Sequence, residues 1–169
     1  VGTSADYAPY EFHSTVNGQD KIVGFDMTMA RTIAKKLGVK IKIEDMSFDA
    51  LLGAVTTGKV DMVIAGMTAT PERAKVVDFS NVYFKDKNVM LVKKTNVNSL
   101  KTVADFKGKK VVAQMASTQY DIAKATMKGA NVIALKKVTD QATQVAQGKV
   151  AGMVVVSTTA DTYLQQSSQ

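Results

Sequence analysis

Apolar residues recur along this chain with two periods, and stretches of the two kinds alternate. Residues 25–37 place Phe25, Met29, Ile33 and Leu37 four apart with Ala30 and Ala34 beside them, and Gly38 follows as a stop; this predicts an amphipathic helix. Residues 39–44 alternate Val, Lys, Ile, Lys, Ile and Glu, the period of a half-buried strand. A short helix is expected from Ser47 as N-cap through Leu51, Leu52 and Val55, ending at Gly58. Residues 60–65 are apolar and β-branched enough for a buried strand. Residues 82–92 read as extended chain, and residues 93–99 are polar and loop-like.

Beyond that polar stretch the alternation returns, with a strand at 110–114, a helix at 118–128 stopped by Gly129, a strand at 132–135 and a helix at 140–147 stopped by Gly148. An apolar strand then runs to Val156, and a last helix is expected over 158–169. Val55-Thr56-Thr57-Gly58-Lys59-Val60 and Val145-Ala146-Gln147-Gly148-Lys149-Val150 share four identities at an offset of ninety positions. Each closes a helix and opens a buried strand, as an internal repeat or convergent turn chemistry would. The expected organisation is α/β in two tandem lobes, residues 1–92 and 93–169. Each is too small for much core alone, and two facing lobes would enclose a ligand cleft.

Composition removes several function classes. The 169 residues would by size alone make one domain, and 46% hydrophobic content supports a real core. No apolar run approaches the roughly 18 residues of a membrane-spanning helix. Val1 opens directly into strand-like sequence, so any leader is expected to have been removed or never present. The absence of cysteine excludes disulfides and thiolate metal sites, and a single histidine, His13, excludes a histidine-rich zinc site. The net charge of +7 is spread over pairs such as Lys35-Lys36, Lys93-Lys94, Lys109-Lys110 and Lys136-Lys137. Dispersed lysines without interleaved aromatics solvate a surface rather than track phosphates, so no nucleic-acid partner is expected.

The densest candidate chemistry is Ala65-Gly66-Met67-Thr68-Ala69-Thr70-Pro71-Glu72-Arg73. Gly66 lets backbone approach closely, Thr70 suits an N-cap and Pro71 a first helical position, so free N–H groups would face the loop. Arg73 in the first turn would add a planar fork for a carboxylate, or else stand in solvent paired with an acid. A second strand-to-helix joint, Gln114-Met115-Ala116-Ser117-Thr118, offers small hydroxylic residues that either bind an anion or simply cap the helix. Tyr7, Tyr10 and Phe48 fall in expected loops, where they either flank a ligand or pack beneath the loop.

Taken in order, Gly2-Thr3-Ser4-Ala5-Asp6-Tyr7-Ala8-Pro9-Tyr10-Glu11-Phe12, Val23-Gly24-Phe25-Asp26, Ser47-Phe48-Asp49-Ala50-Leu51, the loop from Gly66 to Arg73, and Asp78-Phe79-Ser80 with Tyr83 resemble type 2 solute-binding proteins of polar amino-acid ABC transporters. The resemblance covers nearly the whole chain. It implies a two-lobed Venus-flytrap fold outside the cytoplasmic membrane, held there at most by a leader since removed or a lipid anchor. Such a protein binds a free amino acid, closes over it and delivers it to permease subunits, without cofactor, metal or catalysis. It also implies roles: Arg73 and Thr68 grip the ligand α-carboxylate, Ser117 and Thr118 add second-lobe donors, the Gly66 carbonyl accepts from the ammonium, and Tyr7 and Phe48 sandwich the side chain.

Three departures from the family pattern accompany these matches. Val156 stands where members usually carry an aspartate for the ligand ammonium, which would cost affinity. Ser4 stands where binders of basic amino acids carry aspartate, leaving Glu11 and Gln119 as polar candidates for a side-chain contact. The sequence also ends in a second-lobe helix, so the return hinge and the last first-lobe elements are expected to be missing, as in a truncated chain. Two other functions use the same fold: a ligand-sensing domain of a receptor or kinase, and a dehydratase-like enzyme.

Overall fold

In the computed structural model, which describes residues 1–166, the chain divides into two units, Val1–Lys85 and Asp86–Gln169. The first opens with β1 (Gly2–Thr3) and an antiparallel meander of β2 (Asp6–Tyr7), β3 (Glu11–Val16) and β4 (Gln19–Val23). It continues through α1 (Phe25–Leu37), β5 (Glu44–Asp45) and α2 (Leu51–Thr56). The β3–β4 turn is Asn17-Gly18, with φ of 53° and 74°. A two-residue hairpin that follows strand twist needs positive φ at both positions, and Asn-Gly supplies it. That signal is in the sequence, although apolar periodicity passes over it.

The helix α1 has the expected bounds and the expected left-handed Gly38 stop, with φ 68°. Its inward face differs from the expected one. Asp26, Met27, Ala30 and Ala34 are buried, whereas Phe25 and Leu37 are 50% and 69% exposed. Spacing by three and four along Met27, Ala30 and Ala34 turns small residues inward, so the helix backbone packs closely. Phe25 instead stacks on Tyr83, with ring centroids 6.1 Å apart.

The strands expected at 39–44 and 60–65 are mostly extended chain without a ladder. Ile41 and Ile43 are half-buried between exposed lysines as predicted, but only Glu44–Asp45 pairs, in parallel with β1. On the other side of β1, Gly2 N–H donates to Met62 O (2.8 Å) and Ile64 N–H to Gly2 O (3.1 Å), a single bridge centred on Val63. Both ladders are short because β1 offers only two residues. Phe48, Leu51 and Ala65 form a core cluster below them, with Met46, Val63 and Met67 packed on it.

The second unit is built on β6 (Asn88–Val92), β7 (Lys110–Gln114), α3 (Thr118–Thr126), β8 (Asn131–Leu135), α4 (Val138–Ala146), β9 (Gly152–Val156) and α5 (Ser157–Gln166). Its sheet has the order β6-β9-β7-β8, with β7 parallel to β8 and β9, and β6 antiparallel on the edge. Val111, Val112, Ala113 and Met153 are fully buried, as strands covered on both faces require. All five residues of β6 pair with β9, so the division falls after Lys85 rather than after Val92. Of the extended stretch expected at 82–92, only β6 is strand. The last three residues of the helix expected over 158–169 lie outside the described residues.

The two repeat segments have one cap geometry. Gly58 and Gly148 have φ of 72° and 69°. Gly58 N–H donates to Val55 O and Lys59 N–H to Ala54 O (3.1 and 2.9 Å); Gly148 N–H donates to Val145 O and Lys149 N–H to Gln144 O (both 2.9 Å). The donors and acceptors keep the ninety-residue offset bond for bond, and Val60 and Val150 both become buried. The paired helix stops account for the shared Gly-Lys-Val.

Candidate functional site

The segment that leaves the Val63 bridge turns at Gly66, where φ is 54°. Asp26, fully buried in the first turn of α1, holds this turn: its Oδ2 accepts from Gly66 N–H (2.7 Å) and from the Tyr83 hydroxyl (3.0 Å). The positive φ is what favours glycine at residue 66; a Cβ there would only touch the Tyr7 ring, 3.4 Å away.

The helix expected after Pro71 is a single 3-10 turn, Arg73–Lys75. Thr70 acts as the cap the sequence predicts: its Oγ1 accepts from Arg73 N–H (3.3 Å), and its carbonyl from Ala74 N–H (2.9 Å). β-Branched Val76 and Val77 then favour leaving the helical region. Three residues sum little dipole, so the capacity to hold an anion rests on the guanidinium. Arg73 is 9% exposed, its Nη1 donates to Thr68 O (2.6 Å), and its Cζ sits 5.5 Å from the centre of the Phe48 ring. The carbonyl and the ring orient a fork suited to bidentate recognition of a carboxylate. Arg73, Thr68 and Phe48 are thus brought together, and Tyr7 and Gly66 meet at the preceding turn.

Two expected contacts of the first unit face inward. Ser4 is buried, and its hydroxyl donates to Asp6 Oδ1 (3.3 Å). Glu11 is 1% exposed because the alternation of β3 turns it under the sheet, toward Asp26. Burial pushes the Glu11 carboxyl well above the ordinary carboxylate range, and the negative charge of Asp26 adds to the rise. Burial also raises Asp26, against the pull of the Gly66 N–H and the Tyr83 hydroxyl. Glu11 is therefore a buried carboxyl beside Asp26 rather than one exposed to a ligand. Tyr7 stacks on Tyr10, with centroids 5.6 Å apart.

In the second unit, Ala116 adopts a positive φ of 61° and delivers Ser117 to the N-cap of α3. The Ser117 hydroxyl donates to Gln114 O (2.6 Å) and accepts from Tyr120 N–H (3.2 Å), so capping occupies it in both directions. What the joint offers an anion are the first-turn N–H groups of Thr118 and Gln119. The Gln119 side chain is tied to Asn88 Oδ1 (2.9 Å). An open groove of about 350 Å³, lined by Asn96, Leu100, Lys109, Lys110 and Lys149 among others, lies at the opposite ends of β7 and β9 and contains no expected site residue.

The structure also reveals a carboxylate that spacing does not show. Asp86 accepts from the Ser157 hydroxyl, from Thr158 N–H (3.1 Å) and from Lys87 N–H (2.7 Å), capping α5 immediately after Val156. Burial pulls its pKa upward, but these donors prevail and hold it well below the ordinary range. It lies seventy-one residues from Ser157, beyond the reach of any local motif. Asp26 and Tyr83 were visible only as motif letters. Nothing in the periodicity indicates that they meet over Gly66.

A profile of bacterial extracellular solute-binding proteins, family 3, matches residues 1–153. The chain belongs to this family. It is 46% identical over 120 residues to the arginine-binding extracellular protein ArtP of Bacillus subtilis, covering 70% of this chain and 44% of ArtP. It is 35% identical over 169 residues to a probable histidine-binding protein of Campylobacter jejuni, covering all of this chain and 64% of that one. A crystal structure of the substrate-binding protein AbpA from Streptococcus pneumoniae, bound to L-arginine, matches with a TM-score of 0.93 at 36% identity, over 96% of this chain and 69% of AbpA. The α/β architecture is therefore the type II periplasmic-binding-protein fold, and family membership places the chain outside the cytoplasmic membrane. No helix among the described residues is long and apolar enough to cross a membrane. The chain covers 44% and 64% of the length of these two curated relatives.

Proposed function

We propose that this chain binds a free amino acid and serves, as part of a solute-binding protein, to deliver it to the permease of an ABC transporter. The observation that carries the reading is Arg73, a guanidinium buried beside Phe48 and aimed by the Thr68 carbonyl at an exposed turn. Arg73 and Thr68 take the ligand carboxylate, the Gly66 carbonyl takes its ammonium, and Tyr7 and Phe48 wall its side chain. The ligand leaves chemically unchanged. ArtP and AbpA make L-arginine the first ligand to try.

Calorimetric titration with the twenty amino acids, run in parallel on Val156→Asp, tests this reading. At least one polar amino acid should bind the parent chain, and Val156→Asp should tighten it by about tenfold or more, through a counter-charge for the ammonium. No heat from any amino acid would reject the reading. Equal, tight binding by both forms would reject the claim that Val156 leaves the ligand ammonium without an anchor.

A further inference from the structure

The first unit buries two carboxyl groups against each other without a cation between them in any recorded contact. Glu11 is 1% exposed and Asp26 fully buried. Both oxygens of Glu11 and Oδ1 of Asp26 lack a donor, whereas Asp26 Oδ2 has two, Gly66 N–H and the Tyr83 hydroxyl. Three buried acceptor oxygens without donors are not a stable arrangement for two ionised acids. One proton relieves it, because a carboxyl that carries a proton donates where a carboxylate only accepts, so a single O–H engages Asp26 Oδ1 and one of the two Glu11 oxygens.

We propose that Glu11 and Asp26 share a single proton at neutral pH, Glu11 donating to Asp26 Oδ1, and that this proton keeps Asp26 in place as the positioning group for Gly66 and Tyr83. The surroundings favour one proton over none. From β2 the pair faces Asp6, a further negative charge, and Tyr83 and Tyr10 bring neutral phenols. On β3 itself, His13 is engaged away from the pair by Asp20 (2.8 Å) and Asp45 (3.3 Å). Burial and the charge of Asp26 act on Glu11 in the same direction. The proton belongs on Glu11, since Asp26 already has the two donors that favour its charge. Through Asp26, the state of Glu11 sets the turn from which the Gly66 carbonyl and the Arg73 loop emerge. Any effect on ligand affinity rests on the function proposed above; the proton does not.

The sign of the pH dependence follows. Glu11 keeps its proton in the folded chain at pH values where the unfolded chain has lost it. Its contribution to stability is therefore complete below the ordinary carboxylate pKa and is lost as pH rises through the raised folded value. Glu11→Gln donates from Nε2 to the same oxygen without titrating, and Glu11→Ala removes the donor.

The test is infrared spectroscopy of the ligand-free chain at neutral pH, with urea unfolding across about pH 5 to 8. The expected result is a protonated-carboxyl stretch in the parent chain that disappears in Glu11→Gln. Glu11→Gln should also lose up to one proton's worth of the pH slope while keeping the Gly66 amide resonance in place, and Glu11→Ala should shift that resonance. Absence of the protonated-carboxyl stretch in the parent chain at neutral pH overturns the proposal, whether or not the variants fold. Its persistence in Glu11→Gln overturns it as well. These readouts use no ligand, so they stand or fall separately from the titrations that test amino-acid binding.

Discussion

Replacing Arg73 by alanine is expected to weaken amino-acid binding by roughly two to three orders of magnitude, the cost of removing one partner from a desolvated, hydrogen-bonded charge pair. The size follows from the environment. The guanidinium is nearly buried, oriented by Thr68 O at 2.6 Å and backed by the Phe48 ring, so a ligand carboxylate would meet a fork already in position. Arg73→Lys keeps the charge but loses the planar fork and its stacking, and should recover only a minor part of the affinity. Calorimetric titration of the three forms checks this, with urea unfolding as a control for the contact to Thr68. An alanine variant that binds within about threefold of the parent would remove Arg73 from the site.

The largest expected effect on stability lies at Gly24. Its φ is 123°, and a Cβ there would sit 2.2 Å from Tyr10 O, 2.6 Å from Tyr10 C and 2.8 Å from Pro9 O. All three are backbone atoms. The same carbonyls accept the opening N–H groups of α1, Phe25 to Pro9 O (3.0 Å) and Asp26 to Tyr10 O (2.9 Å), so they cannot move aside without releasing the helix start. Positive-φ strain and a backbone clash together should cost Gly24→Ala about 3–5 kcal/mol in urea unfolding, a large share of a typical domain's stability. Asp26 would be displaced with the helix start, loosening the Gly66 turn. A loss below about 1 kcal/mol would mean that this backbone crossing is not fixed as described.

The elements that could be read from sequence are those whose signals are local. The bounds of α1, β7 and the two Gly-Lys-Val stops follow from apolar spacing and from glycines that adopt positive φ. What sequence missed depends on partners distant along the chain. The stretches 39–44 and 60–65 have strand composition, yet their ladders are limited by a β1 of two residues. The turn after Pro71 has a good cap and a good first residue, yet only three residues stay helical. The site was legible in the same proportion. Arg73 and Thr68 meet because one short loop carries both, and Phe48 reaches the guanidinium from a separate 3-10 turn earlier in the chain. Glu11 was expected to reach a ligand and is instead buried against Asp26, because the strand register turns it inward. Asp86 could not be foreseen at the start of α5, since β6 must first pair with β9 to bring it there.

The central claim is that Arg73 holds a ligand carboxylate. It is tested most directly by titrating the chain with L-arginine and with agmatine, the same molecule without its carboxylate. The account predicts a saturable heat for arginine and binding at least about a hundredfold weaker for agmatine, the difference disappearing in Arg73→Ala. Agmatine binding as tightly as arginine would contradict it.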